Sequence, residues 1–547
     1  MSTGSTPSLY IPMDRRQALA RGESLPDRTT GAALIADISG FTPLTEALAN
    51  ELGPKRGVEE LTKQLNLIYS GLIAEVERYR GSVISFSGDA ITCWFAQDQG
   101  LRAIACALAM QQMMSQFATV TTPSGTTISL AIKVAVAAGP VRRFRVGDPA
   151  IQYLDALAGA TLARLAVTEH AADKGEVVLS AEVMTHVGDS VQIREWRQAE
   201  AAGLRVAVLA GLAQPVADDP WPDLPPEALT EEQVRPWLLP GMYQRESAGQ
   251  ELFLADLRSA VALFVRFDGI DYDADEAAGE KLDAFIRWAQ KIVDDYKGSL
   301  LQLTIGDKGS YFYVGFGAPL AHDDDADRAV AAALKLRKPD LGYITGVHIG
   351  ISQGRMWAGP YGGSTRRTYG VLGDEVNLAA RLMGKAEAGQ VLISQRMANL
   401  VNKRYTLHSI GAIAVKGKQE AVSVFEVVGQ QAIQRAATLY SHALVGRETE
   451  LADMLRWLGE ARAGRGQIIR LEGPAGIGKS HLVAEFATRA VVQGFRVAAG
   501  ACQSTTQATY YAPWRQIMRA LLELADEPTA SEAAITRQVA AVERFIV

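Results

Sequence analysis

Apolar residues along this chain switch between strand-like runs and helical spacing, and the whole pattern occurs twice. Apolar runs at 32–38 and 261–267 read as strands, and each leads into a long helical segment, 57–79 and 275–296. Each predicted helix stops at a glycine, Gly81 or Gly298, as a C-terminal glycine should. A hairpin is expected next, turning near Gly88-Asp89 or Gly306-Asp307. Then come an Ala-rich helix (101–116; 324–336), a strand ending in glycine (133–139; 346–350), another helix, and a short strand (177–180; 391–394). The repeat is far longer than a solenoid period, so it predicts two duplicated α+β domains, with helices over mostly antiparallel sheets.

A third unit follows. Gln467-Ile-Ile-Arg-Leu471 reads as a buried strand and runs into Gly473-Pro-Ala-Gly476-Ile-Gly478-Lys479-Ser480 and a helix. Phe495 to Gly500 suggests a second strand. In that strand–loop–helix context the glycines free backbone N–H groups to face phosphates, Lys479 reaches the β/γ-phosphates, and Ser480 ligates Mg²⁺. A second ATP is therefore expected here. The chain reaches Val547 before an apolar strand ending in Asp, so the unit reads as a P-loop domain truncated before its Walker B. The expected layout is an N-terminal segment at 1–30, a first domain at 31–210, a Pro-rich linker at 211–250, a second domain at 251–430, and the P-loop domain at 431–547. Within the linker, Pro236-Trp-Leu-Leu-Pro240 is apolar enough to pack on a domain.

Composition adds mainly exclusions. The 547 residues exceed one core, and 48% apolar with 21% charged residues is a folded, globular mixture. A net charge of -6 spread along the chain argues for neither nucleic acid nor an anionic membrane surface. Cys93, Cys106 and Cys502 are unrelated in spacing and read as buried thiols in a reducing compartment. No apolar run is long enough to span a membrane and no signal-type start is evident, so the default location is the cytoplasm. His170, His322 and His348 lack metal-ligand spacing. The acids at 323–327 suit a helix N-terminus, Met110–Met114 core filling, and the basic run Val141-Arg-Arg-Phe-Arg145 a hairpin surface.

The chemistry lies in what each repeat keeps. The first has Asp37-Ile38-Ser39-Gly40-Phe41-Thr42 and, later, Gly88-Asp89. The second has Arg266 where Asp37 would stand, but carries Asn377 and Arg381 on Gly373-Asp-Glu-Val-Asn-Leu-Ala-Ala-Arg-Leu382. The first has Ala160 and Arg164 at those places. Two carboxylates at strand and turn ends can hold two Mg²⁺ through oxygen and serve in-line attack on phosphorus. Backbone N–H groups of Ile38 to Thr42, opening the next helix, are placed to cradle phosphates. Asn377 and Arg381, at i and i+4, share one helix face; the Asn can hold a ribose oxygen and the Arg can take charge developing on phosphate. Opposite losses in the two copies predict one working site between them.

Both repeats resemble the class III nucleotidyl cyclase catalytic domain, and the tandem pair followed by a P-loop unit resembles the soluble adenylyl cyclases. The resemblance implies two ferredoxin-like cyclase domains in a pseudo-twofold pair, followed by a partial α/β P-loop NTPase. It implies that ATP is converted to 3′,5′-cyclic AMP and pyrophosphate with Mg²⁺ or Mn²⁺. It makes Asp37 and Asp89 metal ligands with the Ile38 backbone, Asn377 and Arg381 the ribose and transition-state residues, Lys133 a triphosphate lysine and Lys308 the base-selecting lysine. Gly370 departs from the acid or threonine of the second base-contacting position. Arg164 and Arg266 would mark a degenerate second pocket able to bind an anion. Two other readings stay open: a nucleotide-sensing module acting on the P-loop unit, and a guanylyl cyclase. The activating partner is not legible.

Overall fold

The computed structural model describes residues 7–199, 203–225, 227–247, 256–306, 309–402, 404–413, 421–430, 446–474 and 477–500, with residues 514, 517, 518 and 521. These divide into two compact units, Met1–Gly429 and Gln430–Val547.

The first unit is built on two similar sheets. In the first, β1 (Arg28–Ser39) lies between β3 (Ala90–Ala96) and β4 (Ala131–Val146), with β2 (Ser82–Ser87) at the edge beyond β3. β5 (Leu154–Ala158) folds back on β4, and β6 (Val177–Ser180), β8 (Arg205–Leu212) and β7 (Val191–Gln198) complete the row. The second sheet has the same order: β10 (Ser299–Gly306), β11 (Gly309–Phe316), β9 (Asp256–Asp268), β12 (Gly346–Gly362), β14 (Val391–Ser394), β16 (Val422–Gln430) and β15 (Tyr405–Ile413), with β13 (Arg367–Leu372) folded on β12. Every ladder cited is antiparallel except β4–β6 and β12–β14, whose strands are joined through a helix.

Helices cover both faces of each sheet. Preceded by α1 (Met13–Ala20), the first sheet carries α2 (Phe41–Arg78) and α3 (Leu101–Met114) on one face and α4 (Ala160–His170) on the other. On the second sheet α5 (Ala278–Asp295) and α6 (Asp325–Leu336) oppose α7 (Asp374–Lys385). In α5, Ala278, Leu282, Phe285, Ile286, Ala289 and Val293 are buried, a single stripe at helical spacing. Each large member contributes about 1.5–3 kcal/mol of burial.

The helix-ending glycines do a different job from the expected one. The left-handed residues are Arg80 (φ 55°) and Lys297 (φ 60°), each one place earlier. Gly81 and Gly298 instead donate back to Val76 and Val293, at 2.8 Å each. They are glycines because a Cβ would strike the Phe95 or Phe316 ring, at 2.5 and 2.7 Å. Of the basic run 141–145, only Arg145 is at the surface. Arg142 and Arg143 are buried, because the β4–β5 hairpin is covered by α1 and by the second domain. Arg143 is clamped by Asp14 and Asp155; Arg142 pairs with Asp27 and donates to the carbonyls of Tyr272 and Asp275. Trp237, Leu238 and Leu239 of the Pro-rich segment are buried.

In the second unit α8 (Glu448–Arg462) and α9 (Lys479–Val492) pack through Leu451, Met454 and Leu482. The strands expected at 467–471 and 495–500 are not formed, and Ile468 is fully exposed. A buried strand needs neighbours to complete its ladder, and no described residue of this unit supplies one. Cys93 and Cys106 are buried and unpaired; Cys502 lies outside the described residues.

Candidate active site

Asp37 sits near the end of β1, paired with Ala90 on one side and Lys133 on the other. The strand period of two puts it on the face of Ala33 and Ile35, which α4 covers. Lys133 Nζ stands 3.4 Å from Asp37 Oδ2 and is also ion-paired with Glu169, in the last turn of α4. Asp89 occupies the β2–β3 turn. That turn is pinned by the Ile38 N–H donating to the Asp89 carbonyl (3.1 Å) and the buried Tyr69 hydroxyl donating to the Gly88 carbonyl (2.7 Å). Burial pushes the Asp89 carboxyl up to about 6, and the Asp37 charge adds to the rise.

The two carboxylates thus feel one another across a space where a cation would relieve both. Together with the Ile38 carbonyl they form an oxygen-only donor set suited to a hard divalent ion. Among the described residues no group of three or more His, Cys, Asp or Glu side chains gathers to hold a metal. An ion here would complete its shell with water or phosphate oxygens, as Mg²⁺ does.

Gly40 enters α2 in the left-handed region (φ 95°), and a Cβ there would meet the Ser129 carbonyl at 2.3 Å. Since Ile38 N–H is already spent, the amides open to a phosphate begin later, in the unsatisfied first turn that starts at Phe41. Ser39 pairs with Ala131, and the Phe41 ring packs on the first core. The Thr42 side chain lies outside the described ones.

Asn377 and Arg381 stand on α7, Asn377 exposed and Arg381 half-buried. Gly350 lets this helix lie close to β12: a Cβ would meet Ala379 O and Met383 N at 2.2 Å each. The Arg381 guanidinium makes no hydrogen bond or ion pair with any described residue. Its counterpart Arg164 is engaged. It donates to Thr161 Oγ1 (2.9 Å) and its Nε lies 3.6 Å from Glu182.

The charge pattern is inverted in the second copy. Arg266 faces His348 in the register where Asp37 faces Lys133. Arg266 and His348 Nε2 are 2.9 Å apart, and His348 Nδ1 bonds the Ala386 carbonyl at 2.8 Å. Asp268 shares His348 at 3.0 Å. Asp273, from the loop after β9, accepts the Ala160 N–H at the start of α4 (3.2 Å). Arg266, His348 and Asp268 thus occupy the register that corresponds to the Asp37–Lys133 pair.

The two domains meet through reciprocal hairpin contacts. Arg366, between β12 and β13, donates to Val83 and Ile84 carbonyls of β2 (3.1 and 3.2 Å). Trp357 and Tyr361 of β12 join the first domain's core beside Tyr69 and Phe86. Gln302 of β10 reaches Ser87 at 3.0 Å. The hairpin that leads directly into α7 therefore packs on the strand that leads into Asp89. Lys308 lies outside the described residues. Glu169, His348 and Asp273 carried no sequence signal; register and packing bring them to these sites.

In the second unit Gly478 (φ 92°) opens α9, and Lys479 Nζ donates to the carbonyls of Gly473 and Pro474, at 2.7 Å each. The loop closes on its own lysine. Arg447 donates to the Ile477 carbonyl at 3.3 Å. Gly476 and the Ser480 side chain lie outside the described ones.

Residues 277–427 match the family model "Adenylate and Guanylate cyclase catalytic domain", and residues 443–544 match "AAA ATPase domain". Adenylate cyclase type 10 of Oryctolagus cuniculus is 23% identical over 510 residues. That match covers 84% of this chain but 31% of the rabbit protein, so the chain spans less than a third of that relative. Among solved structures, the adenylyl cyclase CyaB from P. aeruginosa is 27% identical, covering 32% of this chain and 95% of its own, with a TM-score of 0.29. A class III adenylyl cyclase-like ATP-binding protein from Pseudomonas aeruginosa is 12% identical, covering 68% and 85%, with a TM-score of 0.44. No helix among the described residues is long and apolar enough to cross a membrane.

Proposed function

The chain carries a class III nucleotidyl cyclase catalytic domain followed by an AAA-type ATPase domain, and from that premise we propose that it converts ATP to 3′,5′-cyclic AMP and pyrophosphate at one asymmetric site between its two cyclase-like domains. The observation that carries the reading is the complementary charge of the two copies. Asp37 and Asp89 converge in the first, while Arg266 and His348 take the corresponding register in the second. Arg381 is unengaged, while Arg164 is tied to its own domain.

Asp37, Asp89 and the Ile38 carbonyl would hold two Mg²⁺ or Mn²⁺ ions. When bound, such ions supply activation of a hydroxyl and neutralisation of phosphate charge. Asn377 holds the ribose so that its 3′-hydroxyl lies in line with the α-phosphorus. Arg381 offers its guanidinium to the charge that builds on that phosphate. Lys133 and the first-turn amides from Phe41 meet the β/γ-phosphates. Lys308 reads the purine and favours adenine. Lys479, Ser480 and the glycines at 473, 476 and 478 hold a second ATP at the P-loop.

Purified protein should make cyclic AMP from ATP with Mg²⁺ or Mn²⁺, and little cyclic GMP from GTP. Asp89→Ala should abolish the product. Undiminished turnover in Asp89→Ala sinks the site, and a GTP preference sinks the substrate. The sensing-module reading draws on Lys133 standing against Asp37; tight ATP binding without product would favour it.

A further inference from the structure

Lys133 is held between two carboxylates, only one of which belongs to the site above. Its ammonium contacts Asp37 at 3.4 Å, and the contact with Glu169 is the closer. Lys133 stands on β4 directly across from Asp37, so it cannot leave the neighbourhood. Glu169 stands in the last turn of α4, its side chain 14% exposed. One positive charge is thus divided between a carboxylate expected to bind a cation and one that is not.

The second copy supplies an internal comparison. Where Asp37 is replaced by Arg266, Lys133 is replaced by His348, and His348 is held by the backbone carbonyl of Ala386. In the second copy the helix beside this position offers His348 only the Ala386 backbone carbonyl, and the carboxylate next to His348 is Asp268, two residues along β9 from Arg266. An ammonium this near competes with a divalent ion for the same oxygens. Whatever draws it away raises the affinity for metal.

We propose that Glu169 is a positioning residue for the metal site: it draws the Lys133 ammonium off Asp37, and so sets how tightly Asp37 and Asp89 take a divalent cation. The inference rests on the reading of those two aspartates as metal ligands. It assigns Lys133 a second role, as an internal counter-cation when no metal is bound.

The test is Mn²⁺ binding to the full chain without nucleotide, followed by electron paramagnetic resonance. Glu169→Gln should weaken Mn²⁺ about tenfold, because the ammonium falls back on Asp37, and Lys133→Met should tighten it by a similar factor. If Glu169 acts chiefly through Lys133, the double variant should bind closer to Lys133→Met than to Glu169→Gln. A Glu169→Gln change in Tm with no change in Mn²⁺ Kd overturns the proposal, as does a double variant as weak as Glu169→Gln alone. Should Glu169→Gln fail to fold, Lys133→Met decides by itself, and unchanged or weaker binding is fatal. Asp89→Asn separates the two failures: if it leaves Mn²⁺ binding intact, the metal-site reading is what has failed.

Discussion

At the scale of single residues, the two arginines of the duplicated helix differ in engagement rather than identity. Arg164 spends its donors on Thr161 and stands beside Glu182, whereas Arg381 keeps its guanidinium uncommitted. An arginine that acts on a transition state must hold its donors ready, because breaking an ion pair during the reaction would cost what the new contact gains. Arg381→Ala should therefore lower kcat by about 10²–10³ with little change in ATP binding. Arg164→Ala should shift turnover less than about tenfold, since an anchored, partly exposed arginine contributes roughly 1 kcal/mol. Steady-state kinetics with calorimetric ATP binding on both variants checks this. Equal losses would mean that the pseudo-equivalent pocket is also used.

Among elements, α1 and the β4–β5 hairpin are joined by charge rather than by apolar packing. Arg15, Arg143, Asp14 and Asp155 form a buried network whose side chains are each 2–7% exposed. Burial alone would raise the Asp155 carboxyl, but the Arg143 and Arg15 charges outweigh it and hold it below the usual range. A carboxylate depressed on folding contributes stability that is present above its unfolded pKa, near 4, and lost as pH falls below that. Asp155→Asn should cost about 3–5 kcal/mol at pH 7, because it leaves Arg143 and Arg15 short of a buried partner. The gap between variant and wild type should narrow as pH drops from 5 to 3. Urea unfolding across that range reads both, and a gap that widens on acidification would refute the sign.

For the whole molecule, the interface between domains bears on the proposed site. Arg366 is fully buried, and burial pulls its guanidinium down to about 9, with Arg16 nearby adding to the fall. It answers four backbone carbonyls, those of Val83, Ile84, Leu9 and Arg367, and its guanidinium stacks over Phe86. Such a group holds the second domain's hairpin against β2, and through β2 the Asp89 turn. Arg366→Ala should leave both domains folded, speed hydrogen exchange at 82–87, and reduce turnover more than either domain's stability. Unchanged exchange in that strand would show that the hairpin docks without it.

Much of this was legible from residue order. The repeat, the α+β class and the clustering of Asp37 with Asp89 follow from periodicity and turn chemistry, which are local and survive translation into structure. The helix-ending glycines marked the right places for the wrong reason, because a clash with Phe95 or Phe316 is a tertiary fact. The Arg142–Arg143 run misled for the same cause: charge predicts surface until a partner domain covers it. Strands near the P-loop failed because a strand exists only with its neighbours. What sequence alone determined is which side chains each copy retains at the corresponding positions, Asp37 and Asp89 in one, Asn377 and Arg381 in the other. Only tertiary structure decided that Lys133 leans on Glu169, that Arg164 is engaged and Arg381 is not, and that Arg266 meets His348, because strand register and helix packing join residues that no local spacing connects.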